Sequence, residues 1–165
     1  MFKIRSLILL LVSITITACA SKKVTNTQYK LKYIEGGESG VLYANYLKMY
    51  LKSLDMLSDQ SKYSISTSIN HEISVFITNV NNTSDREMIT STVKASIKDE
   101  DQNCLLINYE NNVKQFYVIT SNINSTSNTK AVENIKKNNS EILAKEFAYY
   151  LAEAENFECK NDKKY

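Results

Sequence analysis

A period of two in the hydrophobicity of residues 63–79 restricts the possible fold more than any other feature of this sequence. Successive side chains of a β-strand point to opposite faces, so a strand with one buried and one solvated face repeats every two residues. The residues between the odd positions are mainly polar. The odd positions hold Tyr63, Ile65, Thr67, Ile69, His71, Ile73, Val75, Ile77 and Asn79. This pattern predicts one long strand, or two strands joined at Asn70–His71.

Three further segments have the character of strands. Residues 29–33 alternate Tyr and Leu with lysines, and residues 105–120 end in a run of aromatic and β-branched side chains. An alternative divides this last segment near residues 110–112. Residues 86–98 place Ile89, Val93, Ala95 and Ile97 on one face of a third strand. The other face of that strand is unusually polar and carries Arg86, Thr90, Thr92, Lys94, Ser96 and Lys98.

Two segments repeat at helical spacing instead. The first, predicted over residues 41–57, follows a glycine-containing turn at residues 35–40, with Ser39 as its N-cap. The second is predicted over residues 130–156, and Asn138 and Asn139 weaken its middle. Each helix has one apolar stripe and each strand has one apolar face. We therefore predict an α+β fold of order β-α-β-β-β-α, with a four-stranded sheet and two helices packed on one face.

The first eighteen residues have the features of a bacterial lipoprotein signal peptide. Lys3 and Arg5 precede an apolar run from Leu7 to Ile16, which is shorter than the roughly 20 residues that span a bilayer. Ile16-Thr17-Ala18-Cys19 resembles a lipobox, in which small residues flank the cleavage site and the thiol of Cys19 accepts lipid. The alternative is an ordinary signal peptide with a chance cysteine.

These features predict four parts of the chain. Residues 1–18 are the signal peptide, 19–28 a lipidated tether, 29–157 a single α+β domain and 158–165 a charged tail. Stable anchoring in a membrane takes more than one acyl chain, so we expect palmitate as well as diacylglycerol on Cys19.

Charge and cysteine content narrow the functional classes. Removal of the signal leaves eighteen basic residues, equal to the eighteen acidic ones. A nearly neutral chain lacks the basic footprint of a nucleic-acid-binding protein, so no such partner is expected. Cys104 and Cys159 remain after Cys19 is lipidated. Export permits a disulfide between them, but the sequence leaves open whether they pair or stay independent thiols.

The sequence contains no motif of a known catalytic class. Its single histidine, His71, falls on the apolar side of a strand pattern, which is typical of a structural histidine. There is no nucleophile elbow, no zinc-type spacing of Cys and His, and no glycine-rich phosphate loop. We therefore expect a protein that is not an enzyme and that needs no metal or cofactor.

Several of these segments together resemble the LPS-assembly lipoproteins (LptE-like), subunits of the outer-membrane lipopolysaccharide translocon. Besides the lipobox at Cys19 and the helix over residues 42–57, the resemblance rests on residues 73–77 through Asp85-Arg86. It continues through residues 91–97, Gln115-Phe116-Tyr117 and a terminal helix rich in Ala and Glu. Many family members continue with Gly-Phe after the cysteine, whereas this chain has Ala20-Ser21.

The resemblance implies a lipid-anchored outer-membrane protein that acts as plug and assembly partner of the β-barrel translocon and binds lipopolysaccharide. Arg86, Lys94 and Lys98 are then the candidate contacts for lipid phosphates. A plain solvated strand face is the alternative for each of them. Two other functions stay open: an auxiliary lipoprotein of a phospholipid-transport ABC system, and an enzyme inhibitor or surface antigen on a lipid tether.

Overall fold

The computed structural model describes residues 27–77, 84–118, 125–154 and 157–159. The predicted signal peptide, Cys19 and most of the tether and the charged tail lie outside these residues. The predicted α+β order is confirmed. The elements are β1 (Lys30–Glu35), α1 (Gly37–Ser53), β2 (Tyr63–Ile77), β3 (Ser84–Asp99), β4 (Cys104–Val118) and α2 (Ser125–Glu153).

The four strands form one sheet in the order β1-β2-β3-β4. β1 runs parallel to β2, and β2, β3 and β4 are antiparallel neighbours. β2 is a single strand of 15 residues, so the alternative with a break at Asn70–His71 is wrong. β4 is also continuous, because Asn111 pairs with Val93 and Asn112 with Thr92.

Both helices cover the face of the sheet that carries the odd-numbered side chains of β2 and β3. Hydrophobic burial drives this packing and contributes about 1.5–3 kcal/mol for each large side chain. The sheet and both helices contribute side chains to the core. Its fully buried side chains are Tyr29, Tyr43, Leu47, Leu51, Met56, Ile65, Ile89, Val93, Ile97, Leu143, Phe147 and Leu151.

The first helix begins four residues before its predicted start and ends four residues before its predicted end. Gly36 has φ 128°, and a Cβ on it would lie 2.6 Å from the Ile69 carbonyl oxygen, so only glycine fits there. Ser39 lies inside the first turn and is not the N-cap. Beyond Ser53 the chain turns at Asp55, which has φ 56°. This turn brings the Met56 carbonyl to the Tyr29 N–H, at 2.8 Å.

The second helix begins at Ser125, five residues before its predicted start, and ends at Glu153. Asn139, predicted to weaken it, is fully buried within it. After the helix the chain stays on the domain, because the Phe157 ring lies 6.3 Å from that of Tyr29. Cys159 forms a disulfide with Cys104. Among the described helices, neither is long and apolar enough to span a membrane.

Candidate ligand-binding face of the sheet

The side of the sheet away from the helices carries the even-numbered side chains of β2, β3 and β4. We call this surface the open face. Apart from Ser64 and Leu106, which are buried, its described residues are exposed or half-buried, and most are hydroxyl, amide or charged. They are Ser66, Ser68, Asn70, Glu72, Ser74, Arg86, Met88, Thr90, Thr92, Lys94, Ser96, Lys98, Asn108, Glu110, Asn112, Lys114, Phe116 and Val118.

A wide groove of about 650 Å³ crosses the middle of the open face. Tyr33 and Glu35 of β1 form one wall, and Asn108 and Glu110 of β4 form the other. A second concavity, of about 550 Å³, continues it past Glu72. Hydroxyls and amides along this floor offer many hydrogen-bonding groups but no activated nucleophile.

Among the residues that line the groove, Lys94 carries the positive charge, and several carboxylates lie near it. Its Nζ lies 3.7 Å from Oε1 of Glu110, and Glu35 and Glu72 line the same concavities. Both partners of this ion pair are largely exposed, so the pair adds little to stability. It nevertheless means that Lys94 faces a negative neighbour, which makes the middle of the open face a poor site for a phosphate.

One end of the open face combines cations with apolar side chains. We call Arg86, Met88, Lys114, Phe116 and Val118 the distal patch. The register places Arg86 opposite Val118 and Met88 opposite Phe116, and Lys114 opposite Thr90. Phe116 is 55% exposed and Val118 is 62% exposed. Exposed apolar side chains bordered by cations suit an amphiphile with an anionic head group and hydrocarbon chains.

The helix side of the same end is also partly apolar. Ile73 and Val75 of β2 are about half exposed there. Next to them in the sheet, the Tyr117 hydroxyl donates a hydrogen bond to the Glu87 carboxylate. Burial, and after it the hydrogen bond to Glu87, raises the pKa of Tyr117 to about 12, so this hydroxyl stays protonated.

The three candidate phosphate contacts all lie on the open face of β3, but the structure does not bring them together. Arg86 and Lys98 are twelve residues apart on one strand, which is roughly 40 Å. Of the three, only Arg86 belongs to the distal patch. The sequence pattern did not indicate Phe116, Val118 and Lys114 as neighbours of Arg86. Their even numbering was visible, but their pairing with β3 depends on the register.

The opposite end of the sheet is held by ion pairs. We call it the anchored end, because the chain enters β1 here from the predicted tether. Lys30 and Lys32 both pair with Glu100, and their hydrogen bonds lower the pKa of this carboxyl to about 2. Nearby, Lys62 pairs with Asp99 at 3.2 Å. The two Glu100 contacts fasten β1 to the β3–β4 turn, and the Lys62 contact fastens the start of β2 to the end of β3.

A polar cluster lies between the sheet and α2. His71 Nδ1 lies 2.7 Å from Oγ of Ser91, which accepts a hydrogen bond from Asn139 Nδ2 at 2.9 Å. Burial, and then the Lys136 charge, lowers the pKa of His71. Ser91 is fully buried. A substrate cannot reach this hydroxyl, so the cluster positions α2 on the sheet.

Within the described residues, no group of His, Cys, Asp or Glu side chains is placed to hold a metal ion.

The fold is shared with bacterial lipoproteins of known structure. Rare lipoprotein B from Shewanella oneidensis has a TM-score of 0.60 at 9% identity, over 74% of this chain and 93% of that one. An uncharacterized lipoprotein B from Nitrosomonas europaea scores 0.61 at 10% identity, over 76% and 82%. A minor lipoprotein from Acinetobacter baumannii scores 0.58 at 14% identity, over 78% and 92%. No family model matches the sequence, and no curated protein matches it either.

Proposed function

We propose that this protein is a lipid-anchored, non-enzymatic partner of an outer-membrane β-barrel that translocates lipopolysaccharide. In this proposal it sits inside the barrel as a plug and contacts lipopolysaccharide. The observation that carries the proposal is the division of the sheet: helices cover one face, and the open face is mainly polar up to the apolar side chains of the distal patch. Side chains that point into the lumen of an outer-membrane barrel are polar, so an open polar face suits that environment.

The two ends of the sheet support the same arrangement. The tether enters at the anchored end, and the distal patch lies at the far end of β2, β3 and β4. A strand of 15 residues spans roughly 50 Å, which exceeds the ~30 Å hydrocarbon core of a bilayer. A domain anchored on one side of the membrane and held in a barrel therefore reaches across it. The distal patch then meets a lipid that has phosphates and acyl chains.

Co-purification tests the partnership. The protein is tagged at its C-terminus, membranes are solubilised in detergent and the captured proteins are identified. We expect a large outer-membrane barrel in the eluate. Depletion of the protein should leave that barrel misassembled and reduce lipopolysaccharide at the cell surface, because binding of a partner stabilises the folded form. Capture without a barrel, together with normal surface lipopolysaccharide, would refute the proposal.

Charge reversal tests the contact with lipopolysaccharide. The double variant Arg86→Glu/Lys94→Glu should weaken binding while the domain stays folded. Most of the loss should come from Arg86→Glu, because Lys94 already faces Glu110. Lys48→Glu, an exposed position on α1, is the matched control. Normal binding by a folded double variant would reject these residues as the contact.

An auxiliary role in a phospholipid-transport ABC system is the second candidate. The distal patch supports it, since a phospholipid also combines a phosphate with acyl chains. Co-purification with an inner-membrane or substrate-binding transport component, and binding of phospholipid vesicles in preference to lipopolysaccharide, would favour this function.

A further inference from the structure

The two edges of the sheet differ in how they are protected against pairing with another strand. β1 has 6 residues, a bulge between Leu31 and Tyr33, and two lysines. Short length, bulges and lysines are the usual means of blocking an edge. β4 has 15 residues, and its pairing with β3 shifts register near Leu106. Past residue 107 the register is regular, and this part of β4 carries one lysine, Lys114. In the described part of the chain, no strand pairs with the outer edge of β4.

A local hydrogen bond indicates which backbone groups face outward from β4. The Asn112 N–H donates to Oδ1 of its neighbour Asn111 at 2.8 Å. Residues of an antiparallel strand alternate between bonding the strand on one side and the strand on the other. Since Asn112 bonds a side chain, the even-numbered residues of β4 direct their N–H and C=O groups toward the free edge.

We propose that β4 pairs in antiparallel fashion with β4 of a second copy of this chain and joins the two sheets into one. The register is centred on Asn112, which lies opposite Asn112 of the second copy. Glu110 then lies opposite Lys114 of the second copy, and symmetry forms this pair twice. Opposite charges directly across two strands are favourable, and every residue that bonds across the new junction is even-numbered. On pairing, the Asn112 N–H exchanges its bond to Asn111 Oδ1 for one across the junction. The edge is then complementary to itself in charge and in backbone hydrogen bonding.

The helices have room to meet above this junction. α2 lies over β3 and β4, because the Tyr150 ring packs 4.9 Å from Tyr109 and Asn111 donates to Glu146 at 2.7 Å. With strands ~4.8 Å apart, two such helices lie ~10 Å from each other, which is a normal distance for packed helices. Tyr150 is 41% exposed beside Tyr109 of β4. The second copy would cover part of this exposed ring.

Pairing of two copies is independent of the proposed function. Dimer formation by the chain alone and its partnership with a barrel are tested by separate measurements. A strand of the barrel is a different occupant of the same edge. If the edge is kept for such a strand, the protein alone stays monomeric, and that result counts against the proposal.

Disulfide trapping tests the register. Directly opposite residues of a hydrogen-bonded pair have Cα atoms about 5.5 Å apart, within the range that a disulfide spans. Because Cys104 and Cys159 pair with each other, a new cysteine is the reactive thiol of the described domain. In the lipidated full-length protein in detergent, Asn112→Cys should yield a covalent dimer on mild oxidation. The control is Asn108→Cys, exposed on the same strand, whose two copies would lie roughly 27 Å apart. A dimer from both variants or from neither overturns the register.

Charge exchange tests the pairing by an independent measurement, sedimentation equilibrium in detergent. Lys114→Glu should raise the dimer dissociation constant about tenfold or more, since it places two like-charge pairs across the junction. Glu110→Lys should do the same. The double variant Glu110→Lys/Lys114→Glu should return to within about threefold of the original protein. Lys48→Glu on α1 should change nothing.

Thermal melts verify that each variant is folded. Lys114→Glu leaves the Lys94–Glu110 pair intact, so it remains informative if Glu110→Lys does not fold. A wild-type protein that is monomeric at every concentration overturns the proposal. So does a dimer that is insensitive to both reversals.

Discussion

Asn139 of α2 donates a hydrogen bond from its Nδ2 to Oγ of Ser91 on β3, over 2.9 Å, and both side chains are fully buried. The same hydroxyl is 2.7 Å from Nδ1 of His71 on β2. The cluster therefore ties one helix to two strands at a fixed position. Buried polar groups are costly unless they are bonded, so this contact selects one placement of α2.

Replacing Asn139 should consequently destabilise the fold. Asn139→Ala removes the donor to Ser91 and leaves a small cavity, at a cost of roughly 1–3 kcal/mol of unfolding free energy. Asn138→Ala, at the exposed neighbouring position, should change the free energy by less than about 0.5 kcal/mol. Urea unfolding of both variants measures the difference. Equal losses at the two positions would show that the hydrogen bond does not hold the helix.

His71 should make stability depend on pH. Its pKa in the folded protein is below the ordinary value of 6.5, chiefly because of burial and then because of Lys136. The unfolded chain therefore binds a proton at a pH where the folded chain does not. Stability should be complete above about pH 7.5 and should fall as the pH drops through 6.5 toward the lower folded value. His71→Gln should flatten the stability curve in this interval, and urea melts between pH 5 and 8 would measure it. An unchanged slope in this variant would place the titrating group elsewhere.

The sequence predicted the elements well where one face of each is buried. The period of two in β2 is matched by burial in its first half, where Ile65, Thr67 and Ile69 pack under the helices, whereas Ile73 and Val75 are about half exposed. By contrast, the ends of the helices depend on tertiary contacts. The first helix starts early because Gly36 lies against Ile69, which belongs to a distant strand. The first turns of α2 contain Ser, Thr and Asn, which favour caps and turns, so the helix was predicted to begin only at residue 130. Once a helix has formed, each residue added to its end gains one backbone hydrogen bond, so α2 can extend through these residues.

The candidate site was predictable only in part. The polar face of β3 was visible in its alternation, and the structure places Arg86, Lys94 and Lys98 on that face. The sequence could not give the register of β3 and β4. That register sets Lys94 opposite Glu110 and gathers Phe116 and Val118 around Arg86. For the same reason, the pairing of Cys104 with Cys159 was left open, since it depends on where the chain passes after α2.

The disulfide between Cys104 and Cys159 closes a loop with a sequence separation of 55. A cross-link of this size restricts the unfolded chain and contributes about 2–4 kcal/mol. Cys104→Ala/Cys159→Ala should lose this amount, and reduction of the original protein should have the same effect. A reducing agent should not shift the melt of the double variant. If it does, the effect of reduction on the original protein has another origin.

The loss of unfolding free energy caused by a core substitution should increase with the burial of the side chain that is replaced. Phe147 is fully buried against Tyr109, with ring centroids 4.7 Å apart, so Phe147→Ala should cost about 3–5 kcal/mol. Leu54 falls within the predicted first helix, but it follows the end of α1 and is half-buried. Leu54→Ala should therefore cost clearly less than Phe147→Ala in denaturant melts. An equal or larger loss for Leu54→Ala would mean that the segment after α1 carries more of the core than its exposure indicates.

Lipidation at Cys19 should be separable from folding. The packed domain begins at Tyr29, whose side chain is fully buried between Tyr63 and Phe157, so nine residues lie between the anchor and the core. Cys19→Ser removes the thiol that forms the thioether, and a hydroxyl does not replace it. Metabolic labelling with a clickable palmitate analogue should mark the original protein and leave the variant unmarked. The variant should also leave the membrane fraction. Its melting temperature should stay within about 2 °C of the original, because a change in unfolding free energy of less than ~0.5 kcal/mol shifts the melting temperature by no more than about 2 °C. Label that persists on the variant would refute lipidation at this residue, and a lowered melt would show that the tether takes part in the fold.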